Sequence, residues 1–122
     1  MASGDEQDVR ATLQWYIDGT YQGDEELVRR AFHPNARMSG YLQGQLLCGG
    51  PEPFFETVRT APAPARSGEP YQAEITHLEI AGPAASATLV EPSYLGLHFT
   101  DYLHLLKVDG RWQIVSKTFM HR

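Results

Sequence analysis

The dipeptide Asp109-Gly110 is the strongest single constraint on how this chain can fold. It lies between two runs rich in alternating apolar residues, Phe99 to Val108 and Arg111 to Phe119. A two-residue Asp-Gly link in that setting favours a tight hairpin whose twist matches the strands it joins. With Asp109 and Gly110 as the turn, Lys107 opposes Trp112, Leu105 opposes Ile114, Leu103 opposes Ser116 and Asp101 opposes Thr118. Side chains alternate across a strand, so these eight share one face. Tyr102, His104, Leu106, Gln113, Val115, Lys117 and Phe119 share the other. Leu103, Leu105, Trp112 and Ile114 mark the first face as the core side. Asp101 then points toward the core near its open end, an expensive place for an unpaired carboxylate. The second face is apolar for a solvent surface. A sheet apolar on both sides packs something on each, most simply a second copy of itself.

Two further strands, Tyr71 to Ile80 and Ala84 to Glu91, flank the turn signal Ala81-Gly82-Pro83 and complete a four-stranded meander. Met38 to Leu42 and Gln45 to Cys48, around Gln43-Gly44, form a shorter hairpin. The remaining periodicity is helical. Ser3 and Glu6 have capping-box spacing, and Val9, Leu13, Tyr16 and Ile17 follow as an apolar stripe with Gly19 as its stop. Asp24 caps a second helix whose stripe is Leu27, Val28, Ala31 and Phe32, and His33-Pro34 ends it. A third helix begins at Gly49-Gly50-Pro51 and shows Phe54, Phe55 and Val58 on one face. Ala61 to Pro70 reads as an ordered or semi-mobile proline-rich loop over one edge. Helices gathered ahead of an antiparallel sheet specify an α+β fold with the helices on one face.

Composition closes off several function classes. The 122 residues suit one domain, 1–122, and a 42% hydrophobic share with thirteen aromatic rings can close a core without staples. The single cysteine, Cys48, offers neither an internal disulfide nor a zinc cluster, and reads as buried and inert. A net charge of -5 argues against a nucleic-acid partner. No stretch approaches the roughly 18 apolar residues of a membrane span, and no signal peptide is visible, so the expectation is a soluble cytoplasmic protein.

Tyr16-Ile17-Asp18-Gly19 with Gly23-Asp24, Ala31-Phe32-His33-Pro34-Asn35-Ala36, and Val108 to Val115 resemble the nuclear transport factor 2-like superfamily. The resemblance covers essentially the whole chain. Tyr94 to Tyr102 and Ser116-Lys117-Thr118-Phe119 are most similar to its "putative lumazine-binding" (polyketide cyclase-like) branch. The resemblance implies a cystatin-like cone, in which a strongly bent antiparallel or mixed sheet wraps three helices and leaves a pocket at its wide end. It also implies a homodimer through the outer sheet face, here Tyr102, His104, Val115, Lys117 and Phe119. Relatives include ketosteroid isomerase, scytalone dehydratase, polyketide cyclases and limonene epoxide hydrolase beside non-catalytic binders, so the fold does not fix the function.

Against ketosteroid isomerase, Tyr16 matches the helix tyrosine that donates to the oxyanion, and Asp101 is the nearest analogue of its protonated aspartate. The place of the general base falls at or beside Gly40, so that base is missing. A phenol and a buried carboxylic acid aimed at one oxygen stabilise an enolate. The plainer alternative is a core tyrosine with Asp101 as its partner. Among the histidines no two have metal-ligand spacing; His33 could face the pocket mouth or answer the helix dipole. Arg37 and Arg59 lack the flanking carboxylates of an epoxide hydrolase. Tyr16, Phe32, Met38, Tyr41, Phe54, Phe55, Tyr94, Phe99, Asp101, Leu103 and Trp112 are the expected pocket lining. The reading is a binder of a small apolar or aromatic molecule, with no metal or cofactor. The alternative is a cofactor-independent isomerase, cyclase or dehydratase using Tyr16 and Asp101.

Overall fold

A computed structural model describes residues 2–122, with side chains from Gly4 onward. The capping box expected at Ser3 falls outside the described side chains. The elements run α1 (Ala2–Gln22), α2 (Glu25–Ala31), β1 (Phe32–Leu42), β2 (Gln45–Gly49), α3 (Glu52–Thr60), a one-turn α4 (Pro64–Ser67), β3 (Glu74–Ala81), β4 (Ala84–Tyr94), β5 (Leu97–Val108) and β6 (Arg111–His121). The six strands form one sheet in the order β2-β1-β6-β5-β4-β3. All neighbours are antiparallel except β1 and β6, which run parallel. The sheet is therefore mixed, and the class is α+β as expected.

Gly19 does not stop α1. A Cβ there would lie 2.5 Å from Val28 Cγ2, so the missing side chain admits α2 against α1. The helix ends at Gly23, whose φ of +71° lets Asp24 N–H bond back to the Gly19 carbonyl at 2.8 Å. Asp24 then caps α2, its carboxylate accepting from Leu27 N at 3.2 Å. The proline-rich connector contains α4, and Arg66 donates from it to the Gln22 carbonyl at 3.1 Å.

The core lies between α1, α2, α3 and the inner face of the sheet. Val9, Leu13 and Tyr16 of α1 and Leu103, Leu105 and Ile114 of the sheet are essentially inaccessible. Thr12 ties α1 to β6 through the Trp112 carbonyl at 2.9 Å. Among the described residues no helix is long and apolar enough to cross a membrane.

The hairpin at Asp109-Gly110 forms with Lys107 opposite Trp112 and Leu105 opposite Ile114, as the turn dictates. Beyond that point the register shifts by one. His104 pairs with Ser116, Leu103 with Lys117 and Asp101 with Phe119, leaving Val115 without a partner. One extra residue in one strand is a β-bulge, and it reverses the facing of everything after it. Lys117 and Phe119, expected on the outer dimer face, instead point inward and are buried, while Thr118 is exposed. Ser116 and Thr118 do not oppose Leu103 and Asp101.

Candidate functional site

The bulge sets the chemistry of a cavity of about 350 Å³ between α1, α3 and the inner sheet face. Its walls are mostly apolar: Met38 and Leu42 from β1, Leu47 from β2, Pro53 and Phe54 from α3, Leu95 from the β4–β5 turn, and Tyr94, Leu97, Phe99 and Phe119 from the later strands, with Gln43 and Thr57 beside them. Three polar side chains, Tyr16, Glu91 and Lys117, reach it from buried positions. Phe119 enters the wall because its β1 partner is Gly40. A Cβ on Gly40 would collide with the Phe119 carbonyl and stand 2.8 Å from its ring.

The polar groups form a continuous chain. Lys117 Nζ donates to Tyr16 Oη at 2.6 Å, and Tyr16 donates to Asp101 Oδ2 at 3.2 Å. Glu91 neighbours Asp101 in the same buried cluster, and Tyr71 donates to Glu91 Oε2 at 2.5 Å. Two carboxyls in contact inside an apolar core cannot both ionise cheaply. Burial, then the Asp101 charge, pushes Glu91 well above the usual carboxylate range. Asp101 Oδ1 is buried without a partner, an acceptor open to a protonated Glu91. Burial, followed by the charges of Asp101 and Glu91, also drives the Tyr16 phenol up, so it stays neutral. Lys117 Nζ sits 3.9 Å from the centre of the Phe54 ring, which stacks on Tyr16 at 5.4 Å.

A lip of the cavity is held by Glu69. Its carboxylate accepts from Ser93 Oγ at 2.7 Å and from the amides of Leu95 and Gly96 at 3.0 and 2.8 Å. Leu95 has a φ of +54°, uncommon for a branched side chain, and these bonds hold the turn in that shape.

Residues 4–120 match the family described as "putative lumazine-binding". The chain belongs to that family. It is 30% identical over 112 residues to a protein named aldolase FrzH from a Cladobotryum species, covering 91% of this chain and 86% of that one. Among solved structures, an NTF2-like protein of unknown function from Shewanella baltica superposes with a TM-score of 0.90 at 28% identity, covering 100% and 97% of the two chains. A second NTF2-like protein of unknown function, from Silicibacter pomeroyi, gives 0.89 at 25% identity over 100% and 99%.

In this member of the family, five of the residues expected to line the pocket border the cavity: Tyr16, Met38, Phe54, Tyr94 and Phe99. Six do not. Tyr41 faces outward and is 63% exposed, because on β1 the inward positions are Met38, Gly40 and Leu42. Phe32 and Phe55 pack edge to face in the core and border a separate depression that also contains His33 and Arg37. Leu103 and Trp112 are core, and Asp101 lies behind Tyr16 with no exposure. His33 Nδ1 accepts from Asn35 N at 3.0 Å, and Cys48 is exposed, not buried. Sequence reasoning missed Glu91, Lys117 and Phe119. Glu91 continues the inward row Ala85, Ala87, Leu89, and the adjacent apolar pair Ile114-Val115 breaks the alternation where the bulge sits.

Proposed function

We propose that this protein binds a small, flat organic molecule whose apolar body fills the cavity and whose one oxygen-bearing end meets Lys117. The carrying observation is a single buried cation in a mostly apolar cavity. An ammonium has three donors, and Tyr16 is the one hydrogen-bond acceptor it finds among the described residues. A cavity of about 350 Å³ with a few convergent polar groups has the usual form of a small-molecule site. The family's description supports a small organic ligand of this kind. The outer sheet face, with Tyr102 and Leu106 exposed and His104 and Val115 beside them, supports a homodimer.

Native mass spectrometry of the purified protein, with thermal-shift screening of flat aromatic acids and ketones, tests this reading. A retained small molecule, or a shift abolished by Lys117→Met, is the expected result. No retained mass and no shift from any compound would sink it.

A second reading, catalysis at a carbonyl, is favoured by Glu91, a proton-holding carboxyl beside Lys117 in the same cavity. The similarity to a protein named an aldolase points the same way. Here Glu91 and Lys117 join Tyr16 as the polar groups facing substrate, while Asp101 lies behind Tyr16 and acts through it. Deuterium uptake at the α-carbon of a bound ketone, lost in Glu91→Gln, is its signature.

A further inference from the structure

The sequence has two lysines, and their settings differ. Lys107 is part-exposed and ion-paired to Asp5 at 3.0 Å. Lys117 is 5% exposed, faces the cavity and has no carboxylate within ion-pair distance among the described residues. Its partner is a phenol, and the hydrogen of that phenol goes to a fully buried carboxylate.

We propose that Lys117 captures carbonyl compounds covalently, its amine condensing with an aldehyde or ketone seated in the cavity to give an imine. The inference rests on the cavity being a ligand site and names the ligand class. The geometry supplies the proton path. As Lys117 Nζ gives a proton to Tyr16 Oη, the phenol passes its own hydrogen to Asp101 Oδ2, and charge never crosses the apolar space as a free ion. The freed lone pair then forms the N–C bond while the carbonyl π pair moves to oxygen, which takes a proton from Glu91. The nitrogen returns a proton to Glu91, giving a neutral carbinolamine. The hydroxyl leaves as water with the proton of Tyr16, which takes in turn the proton held on Asp101, and the C=N bond forms as a protonated imine. Two hydrogens of the original ammonium leave with the carbonyl oxygen, the positive charge stays on nitrogen, and both carboxyls end as they began. A lysine in an apolar pocket is a suitable nucleophile for such condensation.

The test uses the purified protein with 2-naphthaldehyde and sodium cyanoborohydride near neutral pH, read by intact mass and peptide mapping. One reduced adduct is expected, on Lys117, forming on the order of tenfold faster than on Lys107. In Tyr16→Phe the labelling of Lys117 is expected to slow while an alcohol of the same shape still binds; an unchanged labelling rate removes Tyr16 from the proton path. 2-Naphthalenemethanol, of the same shape without the carbonyl, separates the two readings in calorimetry. If the alcohol binds and Lys117 stays unlabelled, the covalent step is wrong and the binding reading stands. Preferential labelling of Lys107 or the amino terminus also overturns the covalent step. If neither compound engages the cavity, both readings fall.

Discussion

Lys117 on the last strand places its Nζ 2.6 Å from the hydroxyl oxygen of Tyr16 on the first helix, 101 positions away in sequence. The same hydroxyl donates to Asp101 at 3.2 Å, so one phenol joins the buried cation to the buried acid. Tyr16→Phe leaves both neighbours a partner short without changing the packing of the ring. It should lower unfolding stability by about 1–3 kcal/mol, measured by urea denaturation. Asp101→Ala strips partners from Tyr16 and Glu91 together and should cost more, roughly 3–5 kcal/mol. Equal stability of Tyr16→Phe and the parent chain would contradict the bridging role.

Glu91 makes stability depend on pH in a defined sense. Its carboxyl is raised in the folded chain by burial and by Asp101, so the folded state holds a proton that the unfolded state releases near the ordinary carboxylate value. The stability this confers is complete below that ordinary value and is lost as pH rises through the folded one. Glu91→Gln is neutral at every pH. Urea midpoints of the variant should therefore fall less than those of the parent between mildly acidic and mildly alkaline pH; parallel profiles would refute the assignment.

Gly40 is a packing requirement. Gly40→Ala drives a methyl into the Phe119 carbonyl and ring and should cost about 1–3 kcal/mol, as overpacking does. Because Phe119 forms part of the cavity wall, the same variant should weaken ligand binding in calorimetry. A carboxylate cannot be placed at this position without displacing that ring.

Glu69 holds the turn that forms the lip. Burial pushes its carboxyl up, but Ser93 and the amides of Gly96 and Leu95 outweigh that and hold it below its usual value. The tether is thus intact at neutral pH and loosens as acid protonates it. Glu69→Ala should speed hydrogen exchange at Leu95 and Gly96 and shorten ligand residence. Global stability should change by only about 1 kcal/mol. Unchanged exchange at those two amides would show that the turn holds itself.

The outer sheet face predicts association. Tyr102 and Leu106 are 50% and 41% exposed on β5, and a glutamate at either should turn dimers into monomers by light scattering. A parent chain that is monomeric at every concentration would dismiss the dimer.

Much of the fold was legible because its turns carry their own chemistry. Asp109-Gly110 gave the pairing of Lys107 with Trp112 and of Leu105 with Ile114 from two residues alone. Asp24 capped its helix for an equally local reason. Tyr16 and Asp101 were singled out, and they do meet, because a carboxylate on an apolar face needs a partner. The errors were non-local. Gly19 reads as a helix stop from its sequence neighbours but serves to admit Val28, and the inward turn of Lys117 depends on one unpaired residue, Val115. Alternation cannot report a place where alternation fails.

That unpaired residue means the interior of this protein is written in parity. Counting from the Asp109-Gly110 turn, even positions face inward as far as Ile114, so an unbroken ladder would present Ser116 and Thr118 to the cavity and send the ammonium to solvent. Val115 drops out of the count and brings Lys117 and Phe119 inside. Deleting Val115 would remove the bulge and leave that cation facing inward, whereas pairing Val115 in the ladder would exchange a charged floor for a hydroxyl one. In this fold one unpaired residue decides which chemistry faces the cavity.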